Sequence, residues 1–229
     1  MSLYKETTGY LIHQRNYKNS SLILEIFSCD FGMIHLIAKG IKNNKRLKSQ
    51  LQYFSHLKIQ FYGKSNLKTL VSIDVLNFNS YENIIDKTAG LYINELLHYS
   101  LIEYEKVDTL YHCYQQCLLN IGKNKITPIL RYFEKELLKH NGFELSVNPN
   151  LQDDCWIGIN ENQGIIEAQK SSDKLCLNSD LKLIVTKIKP NHQAQKRINK
   201  FMRHAIDLSL NYKRLYSREL LISMTSKNS

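Results

Sequence analysis

Apolar residues are distributed differently before and after about residue 79, and each part has its own period. Between Thr8 and Val75 they come in short β-branched runs bounded by turn residues, which predicts strands. Gly9–His13 is the first expected strand, followed by Ser21–Ser28 and Gly32–Ala38, with Asp30-Phe31-Gly32 supplying hairpin turn chemistry. In Leu57–Tyr62, Leu57, Ile59 and Phe61 fall on one face and Lys58, Gln60 and Tyr62 on the other. After a Gly63–Asn66 turn, Thr69, Val71, Ile73 and Val75 are expected to line one face while Lys68, Ser72 and Asp74 point away. One helical turn, Leu47–Leu51, is expected between the third and fourth strands. This count and order suit a small five-stranded Greek-key barrel of the OB type, and an SH3-like barrel fits the count nearly as well.

From Tyr81 onward the apolar spacing turns helical. Tyr81–Lys106, with Leu91, Leu96, Leu97, Leu101 and Ile102, is too apolar for a surface helix and predicts a central one. A second helix is expected over Thr109–Ile121, ending at Gly122. Thr127 and Pro128 then suit the N-cap and first position of a third helix. Leu130, Phe133, Leu137 and Leu138 form its apolar face and Gly142 its C-terminal stop. Residues 144–180 are less regular, with a hairpin expected in Trp156–Ala168 around Asn160–Gly164. Helices are expected again over Asp180–Lys189 and from Gln193 to about Tyr212. In the last, Ile198, Phe201, Met202, Ala205 and Leu208 make the buried stripe, opposite a basic stripe of Lys196, Lys200 and Arg203. The fold class is therefore α+β: a barrel domain over residues 1–79, then a mostly helical domain over residues 80–229 with a small hairpin insertion around 144–180.

Charge adds the first functional signal. Ala38–Leu51 carries Lys39, Lys42, Lys45, Arg46 and Lys48 and no carboxylate, between two expected strands. Clustered cations repel one another, and a polyanion relieves that repulsion while releasing its own counterions. The alternative is a solvated Lys-rich loop. The net charge of +10 is unevenly placed. Residues 1–70 hold 11 Lys and Arg against 3 Asp and Glu, residues 71–140 hold 7 against 9, residues 141–180 hold 2 against 7, and residues 181–229 hold 11 against 2. Two basic ends bracket an acidic middle, a distribution that steers anions to particular faces. On an OB barrel such chemistry is single-strand binding, with bases stacked on aromatics and cations tracking phosphates. Tyr17, Tyr53, Phe54 and Tyr62 are the candidate aromatics. Phe54 better suits packing, and Tyr62, on the polar side of its strand, better suits exposure. Arg15, Lys64 and Lys68 join the loop as candidate cations.

Other chemistries find less support. Gly63-Lys64-Ser65 lacks the upstream glycine of a P-loop and joins two strands rather than opening a helix. Five cysteines, an odd and scattered set, suggest free thiols in a reducing compartment. Cys113 and Cys117, at helical spacing beside His112, are short of the four ligands of a structural zinc site. The eight histidines are dispersed, and Asp153, Asp154, Glu161 and Glu167 read as a solvated face. No nucleophile or dinucleotide pattern is present, so neither an enzyme, a cofactor nor a metal is expected. The N-terminus has no secretory h-region and no apolar run is long enough to span a bilayer, which predicts a cytoplasmic protein that does not engage membranes.

Several stretches together resemble the RecO family of bacterial recombination and repair mediators along nearly the whole chain. They are I-A-K-G-I-K in the basic segment, F-Y-G-K-S-N-L-K-T-L closing the barrel, Gly90–Leu97, Arg131–Phe143 and Ser217–Leu221. The resemblance implies an N-terminal OB-fold on a helical domain. It implies binding of single- and double-stranded DNA, ATP-independent annealing, and help in loading RecA recombinase onto coated single strands. Its implied partners are RecR and the acidic, apolar C-terminal tail of single-strand binding protein. For that tail Arg131 is the first candidate cation, with an intramolecular bridge to Glu134, or plain solvent exposure screened by lysines, as the alternative. Many members carry a four-cysteine zinc module in the segment corresponding to residues 144–177; this chain has only Cys155 and Cys176 there, so the metal is not carried over. Against this reading stand a basic adaptor that docks an acidic protein and an RNA-binding accessory protein.

Overall fold

The computed structural model describes residues 4–170, 172, 174–186 and 188–226. Strands β1 (Tyr4–Tyr17), β2 (Ser21–Ser28), β3 (Gly32–Ala38), β4 (His56–Tyr62) and β5 (Leu67–Asn77) close into a barrel in the order β1-β2-β3-β5-β4. Every neighbouring pair is antiparallel except β3 and β5. This closure with one parallel seam is the OB arrangement, so the SH3-like alternative falls away. Leu11, Leu24, Ile26, Ile34, Leu36, Leu57, Ile59 and Phe61 fill the interior, each worth about 1.5–3 kcal/mol by burial.

Two strands depart from the expected pattern. β1 is far longer than Gly9–His13, because Tyr4–Gly9 pairs with β4 and Gly9–Tyr17 pairs with β2. Its polar ends carry no alternation to read. Gly9, shared by both pairings, has no room for a side chain: a Cβ there would lie 2.5 Å from the Phe27 carbonyl. In β5 the expected face is wrong. Leu70 and Ile73 are buried while Val71 and Val75 are about two-fifths exposed (41% and 39%). The register explains it: Gln60 pairs with Ser72 and Phe61 with Leu70, so Val71 is a bulge residue, and a second shift skips Leu76. Each extra residue reverses the inward–outward phase.

The described residues up to Ile126, together with those from Leu215 onward, form one compact unit, and Thr127–Arg214 forms another. In the first, α2 (Ile84–Ser100), α3 (Asp108–Asn120) and α7 (Tyr216–Ser226) accompany the barrel. α2 stops well short of Lys106. Beyond it the chain turns back to the barrel, Tyr104 donating its backbone N–H to the Met33 carbonyl, and Ile102 is 67% exposed rather than part of a buried stripe. The buried face of α2 is Ala89, Tyr92, Ile93, Leu96 and Leu97. At the outer barrel wall Tyr10 and Phe27 meet Tyr111 and Tyr114 of α3. Asn94 of α2 donates to the carbonyls of Leu11 and Ile12 and accepts from the Tyr114 hydroxyl. Those carbonyls border the β1 bulge, where ladder pairing is interrupted. The Glu95 carboxylate accepts from the backbone N–H groups of Tyr216 and Ser217, fastening the start of α7, a helix not anticipated from the sequence. Cys113 and Cys117 are buried in α3 without a disulfide. A hydrogen bond between them and burial push the Cys117 thiol up.

The second unit begins in α4 (Ile126–His140), which starts just before the expected Thr127-Pro128 cap, leaving Pro128 in the first turn. Leu130, Phe133, Leu137 and Leu138 are buried as expected, and Gly142 takes a left-handed φ of 85° at the stop. β6 (Trp156–Asn160) and β7 (Gly164–Glu167) form the expected hairpin; a short third strand, β8 (Cys176–Leu177), joins its other edge. α5 (Asn178–Thr186) is described to Thr186, and Lys187 of its expected extension lies outside the described residues. α6 (His192–Ser209) buries Ile198, Phe201, Met202, Ala205 and Leu208.

Candidate nucleic-acid interface

The basic segment is built on the barrel rather than hanging from it. Gly40 adopts a left-handed φ of 66°, the chain makes a 3-10 turn over Ile41–Asn43, and α1 (Lys45–Gln50) follows. The Asn44 side chain accepts the Leu47 N–H as N-cap. Ile41 is fully buried in the barrel core and Leu47 packs against it. With the apolar residues turned in, Lys39, Lys45, Arg46 and Lys48 are exposed and Lys42 is half-buried. None of the five pairs with a carboxylate among the described residues. The Lys42 N–H donates to the Ser20 carbonyl, which ties this segment to the β1–β2 turn. That turn adds Lys18, lying over the half-buried Tyr17 ring at 5.5 Å, and Arg15 is exposed a little earlier on β1. Lys18 was missed because a lone lysine beside an Asn-Ser turn carries no signal by itself.

The remaining barrel candidates are placed elsewhere. Tyr62 is 38% exposed and meets Tyr4 edge-on at 5.8 Å, across from the first residue of β1, whereas Tyr17 is its last. Lys64 is exposed in the turn after Tyr62. Lys68 is not an available cation: it is 9% exposed, donates to the Ser65 carbonyl at 2.5 Å and lies over the Tyr104 ring. The β5 bulge turns it inward. Tyr53 packs on the barrel core, and Phe54 is buried against Tyr81 and the face of Gly90, where a Cβ would lie 2.7 Å from its ring.

In the second unit, α6 presents Lys196, Lys200 and Arg203 to a pocket of about 630 Å³, whose other lining includes Trp156 and Lys170. Lys170 sits over the Trp156 ring at 5.2 Å. Arg197, also at the pocket, grips the buried Asp180 with two nitrogens at 2.6 and 2.9 Å and is thereby committed to the fold. The sequence placed the α6 stripe but not the indole or Lys170, which arrive from the hairpin and the segment after it. Arg131 is 18% exposed and bridges to Glu134, 1% exposed, at 2.6 Å, so the guanidinium expected to hold a partner's carboxylate already holds one of its own.

A further constellation was invisible in the sequence. His13 and His98 converge on Glu25, with Nδ1 atoms at 3.4 and 2.5 Å from its two oxygens. Burial pushes the Glu25 carboxyl up, but the His98 hydrogen bond and the charges of His98, His13 and His35 outweigh it and leave the group below its ordinary value. The same hydrogen bond raises His98 against the opposing effect of burial.

Comparison with known proteins agrees with this architecture. A family model described as Recombination protein O N terminal matches residues 1–79, and one described as Recombination protein O C terminal matches residues 81–180. The DNA repair protein RecO of Glaesserella parasuis serovar 5 is 28% identical over 94% of each chain. The DNA repair protein RecO of Escherichia coli O139:H28 is 30% identical over 93% of this chain and 91% of its own, and that of Shigella boydii serotype 18 gives the same values. Among the described residues, no helix is long and apolar enough to cross a membrane.

Proposed function

The chain belongs to the RecO family of DNA repair proteins, and we propose that it is a non-enzymatic recombination mediator that binds single- and double-stranded DNA and anneals complementary strands without ATP. The observation that carries this reading is the row of cations on the barrel, Lys39 to Lys48, held outward by Ile41 and Leu47 and unpaired with any described carboxylate. Two complementary strands repel through their phosphates. A surface that neutralises part of that charge on both lets base pairing proceed downhill, with no nucleotide consumed. Lys18, Arg15 and Tyr17 extend the same surface; the Trp156 pocket, with Lys196, Lys200 and Arg203, offers a second cationic surface that also has an aromatic face for a base.

The partner reading follows from the family: RecR, the acidic tail of single-strand binding protein and, through them, loading of RecA recombinase, in the cytoplasm and on nucleoid DNA. For the tail, a cation beside an apolar wall is required. Arg131 provides the cation by sharing its guanidinium between Glu134, which stays paired, and the incoming carboxylate.

The test is annealing of two complementary labelled oligonucleotides with no nucleotide present. Pairing is expected to accelerate with the intact protein and to revert toward the spontaneous rate when Lys42, Lys45, Arg46 and Lys48 are replaced by Glu. An adaptor that only docks acidic proteins leaves the rate unchanged, and that result overturns the proposal.

A further inference from the structure

Glu25 is out of place by composition. It sits among Leu22, Ile23, Leu24, Ile26 and Phe27 in β2, and its side chain is only 10% exposed. An ionised carboxylate there is costly unless fully compensated. Two imidazoles compensate it, and the β1 bulge is what delivers one of them. Leu11 pairs with Ile26, Ile12 is skipped, and His13 pairs with Glu25. Without the skipped residue Ile12 would oppose Glu25 and His13 would turn into the barrel. His98 arrives from the last turns of α2. The rings of His13 and His98 are 4.6 Å apart, and the three side chains can each offer one ligand atom, all within 4.8 Å of one another.

One atom of the cluster is unexplained. His13 Nδ1 is buried and has no hydrogen-bond partner among the described residues, although it faces Glu25 Oε1 at 3.4 Å. That separation is too long for a strong hydrogen bond. It is about the ligand–ligand distance around a tetrahedral ion with bonds of about 2.0–2.1 Å.

We propose that His13, Glu25 and His98 form a binding site for a divalent transition-metal ion of the zinc type, fastening β1, β2 and α2 together. Two imidazoles and a carboxylate are the donor set that suits such an ion, and three protein ligands leave a position for water. His13 and His98 are 41% and 29% exposed, so an ion has a path in from solvent. Binding displaces the proton that His98 shares with Glu25 Oε2. Of the other nearby charges, Glu95 favours a cation, and Arg15 and His35 oppose it. The family's four-cysteine module belongs to a different segment, so this site does not stand in for it, and it holds or fails independently of DNA annealing.

The experiment is titration of the full, metal-stripped chain with zinc and with cobalt. One ion is expected to bind per chain, raising the melting temperature by about 5–11 °C at a hundredfold excess over Kd. Cobalt is expected to give visible d–d bands without a thiolate charge-transfer band, which separates this site from the cysteines. His13→Ala, at a 41% exposed side chain whose approach to Glu25 is the long one of the two, is expected to keep the fold, with His98 still bonded to Glu25, and to weaken binding at least about 30-fold; Glu25→Gln provides a second, nearly isosteric variant. The replacement His112→Ala on exposed α3 surface leaves binding unchanged. Absence of binding, a thiolate band, or undiminished binding in both site variants overturns the proposal.

Discussion

Replacing Lys42, Lys45, Arg46 and Lys48 together by Gln tests whether the basic segment is the DNA surface, because salt reports how many phosphates a protein neutralises. Each cation–phosphate pair removed lowers the slope of log K against log salt by about 0.9 on duplex and about 0.7 on single strands. If all four side chains touch phosphates, the slope becomes shallower by about 3.6 on duplex and about 2.8 on single strands. Without those four pairs, duplex affinity near 0.1 M salt falls by roughly three to four orders of magnitude relative to the 1 M reference. The structure predicts that the fold survives. Ile41 and Leu47 seat the segment and the Asn44 cap is retained, while substitutions at exposed positions typically change stability by about 0.5 kcal/mol or less. The assay is fluorescence anisotropy of labelled oligonucleotides across a salt series, beside a denaturation curve for each variant. An unchanged slope in a folded variant refutes the argument and moves the interface, with the α6 cations next in line. A shallow slope in the unmodified protein refutes the whole electrostatic reading in favour of the adaptor.

Arg131→Ala is expected to cost about 3 kcal/mol in urea denaturation, because it removes the guanidinium from a carboxylate that is 1% exposed. Adding Glu134→Leu should recover much of that loss. A variant of native stability that no longer captures a tail peptide would instead make Arg131 a partner ligand before it is a structural one. Asn94→Ala strips one acceptor and two hydrogen bonds to carbonyls from the buried junction between the β1 bulge and α2. A loss of about 2–3 kcal/mol is expected, and a change below about 0.5 kcal/mol counts against Asn94 as the anchor.

Local periodicity was enough to predict most elements. The alternation of Leu57, Ile59 and Phe61, the stripe from Leu130 to Leu138 and the Asn160–Gly164 turn each depend on neighbours a few residues away, and all three appear as read. The cationic segment was legible for the same reason, since five charges without a carboxylate are a local fact. What failed was phase. One skipped residue at Val71 turned Lys68 from a candidate phosphate ligand into a buried side chain, and one at Ile12 carried His13 out of the barrel onto Glu25. A bulge is chosen by the pairing partner across the sheet, which no window along the chain contains. The same holds for convergence. His13 and Glu25 meet across the β1–β2 pairing, but His98 lies far along the chain from both, as Lys200 does from Trp156, and only packing of the barrel on α2, or of the hairpin on α6, brings them together. Short-range patterns are set by the covalent neighbours of each residue, but a site is made of side chains that meet only when burial of apolar surface brings remote segments together.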